Sequence, residues 1–83
     1  MTETEMNHDA YEITASLIAL HRDAYGSDAG IPDMLRRAAW AYTYANAQAT
    51  RWDEEGEEHD RIVARHLRAI ARDMAINERR ARR

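Results

Sequence analysis

Apolar residues recur along this chain at intervals of three and four, the period of an α-helix viewed from one side. The clearest case runs from Pro32 to Asp53, where Leu35, Ala38, Tyr42, Ala45, Ala49 and Trp52 fall along one face. Pro32 suits a first helical turn, where its missing N–H would be unpaired in any case, and the alanine-rich body favours continuation. Trp40 and Tyr44, with Ala47 beside them, lie roughly opposite that stripe. A helix with apolar surface on two opposed sides requires two packing partners, so this segment is predicted to be the one around which the others are arranged.

The segments on either side follow the same period. Met6, Ala10, Ile13, Leu17, Leu20 and Ala24 form the main stripe of a first helix, with Tyr11, Ile18 and Tyr25 as a second ridge, while Glu12, Ser16, Arg22 and Asp23 face solvent. Thr2 with Glu5, or Asn7 ahead of Asp9, can cap its start, and Gly26 stops it before the turn-rich GSDAGIPD. After the central segment, Gly56 interrupts the acidic run DEEGEEHD and predicts a tight helix–helix turn. One continuous helix through Gly56 is the alternative, because a single glycine costs only about 1 kcal/mol relative to alanine. The hairpin is favoured because it buries Val63, Leu67, Ile70 and Met74 against the central stripe. Acidic residues then open the third helix and arginines close it, the polarity the helix dipole prefers. The expected architecture is an all-α three-helix bundle, with helices at about 6–25, 32–54 and 57–79 and the last two forming a long antiparallel hairpin. It is a single domain with a frayed acidic N-terminus and a basic C-terminal tail.

Size and composition sharpen this. A chain of 83 residues with no cysteine builds only a small core and cannot reinforce it with disulfides. Association with a second copy is the remaining source of stability, and Trp40 and Tyr44, with Tyr11 and Tyr25, offer more aromatic surface than so small a domain hides. A homodimer meeting at Trp40 and Tyr44 is therefore expected. No apolar run is long enough to span a membrane, and the acidic start MTETEMNHD is the reverse of a targeting peptide, so a cytoplasmic location is expected. All twelve basic residues are arginine, which fits a GC-rich bacterial or phage genome.

Charge gives the strongest unusual signal. Residues 1–60 hold thirteen acids against four arginines, whereas residues 61–83 hold eight arginines against two acids. Arg61, Arg65, Arg68, Arg72 and Arg79 share one face of the third helix, roughly opposite Val63, Leu67, Ile70 and Met74, and no acid is expected on that face. The plain alternative is a solvated helix back. As a binding surface, such a ridge suits either an acidic protein or nucleic-acid phosphates, since guanidinium groups match both. Base readout is not indicated, for no Asn or Gln interleaves with the arginines. Asp53, Glu54, Glu55, Glu57 and Glu58, with Asp60, are read first as a solvated turn and second as an acidic interaction patch imitating nucleic-acid phosphate.

Other chemistry is poorly served. His59 and His66 are seven residues apart, roughly 10 Å along a helix, too far to share an ion, and Gly56 stands where a di-iron Glu-x-x-His pair needs its Glu. Ser16 and Ser27 have no base in their sequence context, and the carboxylates crowd an exposed turn. No catalytic, metal or cofactor site is expected. The sequence points to a small non-enzymatic interaction or regulatory module acting on a partner protein, with nucleic-acid binding by the ridge, or inhibition by nucleic-acid mimicry, as alternatives.

Overall fold

The computed structural model describes residues 2–44 and 56–81 in full and the backbone of residues 45, 54 and 55. Among the described residues, three helices make an all-α bundle: α1, Glu3–Tyr25; α2, Ile31–Trp40, continued by a π-helical turn, Ala41–Ala45; and α3, Glu54–Ala81. The Thr2–Glu5 pair caps α1, with the Glu5 amide donating to Thr2 Oγ1 (3.2 Å) and the Thr2 amide to Glu5 Oε1 (3.3 Å). Gly26 ends α1 in the left-handed region (φ 69°), its amide donating to the Arg22 carbonyl at 2.8 Å. Arg22 then grips Asp28 with two hydrogen bonds, 2.6 and 3.1 Å, and His21 Nε2 meets the Ala29 carbonyl at 2.8 Å. These side chains fold the five-residue connection back onto α1 and aim α2.

The core is one cluster drawn from all three helices: Met6 and Ala10 of α1, Ile31, Leu35 and Ala39 of α2, and Ile62, Val63, Ala64, Leu67 and Ala71 of α3. Ile13, Leu17, Ile18, Met34, Ala38, Tyr42, Ile70 and Met74 pack around it, half-buried. Among the described residues α3 touches both other helices extensively, whereas α1 and α2 meet only slightly. The organising element is thus α3 rather than the second helix, contrary to the sequence expectation. At 1.5 Å per residue its 28 residues extend about 42 Å, which accounts for most of the 46 Å long axis. Arg68 meets Thr43, and Arg79 lies near Gly30 and Pro32, so α2 and α3 run antiparallel as expected.

Three further expectations are corrected. Gly56 is helical, in the first turn of α3, so no turn is centred on it; a glycine there costs little because the first-turn N–H groups lack helical partners in any conformation. The second helix is not uniformly α-helical to its end, because it widens into a π-turn after Trp40. Leu20 and Ala24, assigned to the buried stripe of α1, are exposed, while Thr14 is buried with its hydroxyl donating to the Ala10 carbonyl at 2.8 Å. Ala47, Ala49, Trp52 and Asp53 lie outside the described residues, and position 54, the expected end of the second helix, is already the first residue of α3, which starts three residues earlier than expected. No helix among the described residues is long and apolar enough to cross a membrane.

Candidate interaction surface

Leu35 and Ala39 turn one side of α2 into the core, which leaves Arg36, Trp40 and Tyr44, at intervals of four, on the outer side. Trp40 is 61% exposed and Tyr44 55% exposed, although they are among the largest apolar side chains in the protein. Their rings lie against each other, with centroids 5.2 Å apart and planes tilted by 45°. Thr43, between them in sequence, donates its hydroxyl to the Ala39 carbonyl at 2.9 Å and accepts a 2.6 Å hydrogen bond from Arg68 Nη2 on α3. That bond fixes the Arg68 guanidinium beside the rings. Arg36 is steadied on the other flank by Asp33, 3.0 Å away.

These four side chains, Arg36, Trp40, Tyr44 and Arg68, line a shallow depression of about 420 Å³. A smaller one of about 250 Å³ adjoins it through Arg36 and runs between Pro32 on α2 and Ala75 and Arg79 on α3. The two together trace the outer seam between α2 and α3. A broader hollow of about 540 Å³ sits at the α1–α2 connection beside His21, Tyr25 and Arg37, but His21 is already bound to the Ala29 carbonyl and Asp33 to Arg36.

Arg61, Arg65, Arg68, Arg72 and Arg79 are all exposed. Arg61 lies 3.8 Å from Glu58, and Arg65 and Arg79 have no ion-pair partner among the described residues. Asp73, the residue after Arg72 and about 100° round the helix from it, approaches Arg72 to 4.0 Å from the flank of the ridge. Of the acidic patch, Glu57 and Glu58 are exposed on the first turns of α3, only the backbone of Glu54 and Glu55 is described, and Asp53 is outside the described residues.

Asp60 departs from the expected solvated turn: it is helical and only 8% exposed. Stepping the Val63, Leu67, Ile70 stripe back by three residues lands on it, a signal that its charge masked. His59 beside it contacts α1, with Nε2 3.4 Å from Asp9 Oδ2 and Nδ1 3.9 Å from Asp60 Oδ1. The His59 Nε2 atom is buried and makes no hydrogen bond among the described residues, so its approach to Asp9 is a close contact rather than a directed bond. Burial, and secondarily the Asp60 carboxylate, push the Tyr42 hydroxyl above its ordinary pKa. His66 makes an edge-on ring contact with Tyr11 at 6.2 Å, so both histidines serve the α1–α3 joint.

Of the residues singled out in the sequence, Trp40, Tyr44 and Arg68 are brought together; Arg61, Arg65, Arg72 and Arg79 extend from them along α3. Arg36 and Thr43 are additions that the sequence expectation lacks. Arg36 is readable four residues before Trp40, whereas the role of Thr43 depends on where α3 passes. No protein-family model, curated protein or solved structure matches this chain.

Proposed function

We propose that this protein is a non-enzymatic interaction module that acts by binding a partner protein through the outer α2–α3 face. The observation that carries the reading is the exposed Trp40–Tyr44 pair set between Arg36 and Arg68. Trp, Tyr and Arg are the side chains that dominate protein–protein binding energy, since each joins a large apolar body to a hydrogen-bonding group. Here two are already in contact and a third is held by Thr43, so little side-chain freedom remains to be lost on association.

A second copy of the chain is a poorer occupant of this face. Two-fold pairing about Trp40 and Tyr44 would set Arg36 and Arg68 of both copies around one centre, and like charges drawn out of water oppose association. Nucleic acid is the second reading, favoured by the run of exposed arginines along α3. Against it stands the net charge of −3, with the acidic start of α3 adjoining the ridge.

The test compares the wild type with a Trp40→Ala/Tyr44→Ala variant in affinity capture from the source cell, followed by titration of the captured protein. The variant is expected to keep its helical content and melting temperature, because both rings are exposed, and to bind at least tenfold more weakly. Equal affinity of the two proteins for every captured partner would overturn the reading.

A further inference from the structure

We infer that the element bound by the α2–α3 face is an acidic amphipathic helix, with its carboxylates on the arginine ridge and its apolar side chains on Trp40 and Tyr44. This rests on the interaction-module reading and specifies the chemistry of the partner. Arg61, Arg65, Arg68 and Arg72 advance along α3 by four, three and four residues, or about 6, 4.5 and 6 Å. A second helix laid beside α3 advances identically when its acids stand at i, i+4, i+7 and i+11, so each guanidinium meets one carboxylate. An extended peptide does not reproduce this, because its same-side residues recur about every 7 Å without the alternation.

The apolar half of the match comes from α2. Arg68 lines the same depression as Trp40 and Tyr44, so a helix held on the ridge at its middle has those rings within reach of its adjoining face. Helices pack with their axes 8–10 Å apart. The shallow depression that Trp40 and Tyr44 line between Arg36 and Arg68 receives the occupant's apolar residues. The acidic start of α3 bounds the match at its Arg61 end. The stretch from Arg61 to Arg72 is about 16 Å long, and a helix of three turns ends within it. A nucleic-acid strand running on past Arg61 meets Glu58 and Glu57, where its phosphates are repelled.

The experiment uses the full chain and two synthetic peptides of the same composition, measured by calorimetry at physiological salt. One peptide places Glu at i, i+4, i+7 and i+11 with Leu on the adjoining face; the other permutes these residues so that Glu is spread around the helix. The first is expected to bind at least tenfold tighter. Arg65→Gln/Arg68→Gln and Trp40→Ala/Tyr44→Ala variants, with helical content checked by circular dichroism, are each expected to lose at least tenfold for that peptide. Equal binding of the two peptides, or binding of neither, overturns the inference. So does displacement of the peptide by a mixed-sequence single-stranded oligonucleotide, which assigns the face to nucleic acid, or self-association of the chain that blocks the peptide, which assigns it to a second copy. If the aromatic double variant loses a cellular partner while neither peptide binds, the interaction-module reading stands and the acidic helix falls.

Discussion

The inner and outer faces of α2 are built from adjacent residues and sized in opposite senses. Leu35 and Ala39 are fully buried, and each is followed by a larger side chain, Arg36 and Trp40, that faces water. Hydrophobicity alone would put Trp40 inside and Ala39 out. Room decides otherwise: the core that α2 shares with α3 contains Ala39, Ala64 and Ala71, small side chains that let two helices approach closely and leave no space for an indole. A tightly packed seam between small residues displaces large aromatics to its rim, where they remain available to a partner.

Two truncations separate the inner face from the outer most sharply. Leu35→Ala is expected to lower the unfolding free energy by about 2–5 kcal/mol, as for other leucines truncated in a core. Trp40→Ala removes more atoms and is expected to cost no more than about 0.5 kcal/mol, the usual range for exposed positions. Urea denaturation of both variants checks this. A Trp40→Ala cost equal to that of Leu35→Ala would mean that the indole belongs to the core.

Ala39→Leu keeps the position apolar and adds volume where none is free, and overpacking of this kind costs about 1–3 kcal/mol. An Ala39→Leu variant as stable as the wild type in the same urea series would show that the seam has slack.

The smallest effects are electrostatic and lie to either side of the two faces. Hydrogen bonding to Arg22 holds the Asp28 carboxyl below the ordinary carboxylate range. The pair's contribution is therefore present above that ordinary range and lost as pH falls through the depressed value. The wild-type melting temperature is expected to drop slightly more on acidification than that of Asp28→Asn, the difference being small because the pair is solvent-screened. On the alkaline side, burial and then Asp60 raise the Tyr42 pKa, so the folded state holds the neutral phenol. Stability is full below the ordinary tyrosine range and is lost as pH rises through the raised value, a loss that Tyr42→Phe is expected to remove. Alkaline thermal melts of the two proteins measure it.

Most of the fold is legible in the amino-acid sequence, for a physical reason. The period of three and four that marks the helices is a property of the local chain, and so is the opposition of Trp40 and Tyr44 to Leu35. Crossings between helices are not local. The Arg68–Thr43 hydrogen bond requires knowing which turn of α3 passes which turn of α2, and no residue spacing carries that. Asp60 is misplaced when net charge is weighed above periodicity, although its neighbours and Tyr42 accommodate it in a largely buried position. Aromatic richness marks α2 as the organiser, yet Trp40 and Tyr44 are the residues it leaves outside. The π-turn, beginning just after Trp40, has no signature beyond Thr43, whose hydroxyl takes the Ala39 carbonyl and competes with the backbone for it.

Because α3 carries α1 on one seam and α2 on another, while α1 and α2 scarcely touch among the described residues, the two shorter helices are coupled mainly through α3. The protein's amide protons should report two tiers of protection, with the half of α1 beyond Leu17 exchanging first, since Ala19, Leu20 and Ala24 there are open to solvent. Substitutions placed in different seams should act additively, their coupling energy near zero, whereas two in the same seam should interact. The outer α2–α3 face can thus change its sequence, and with it its partner, without the α1–α3 joint registering the change.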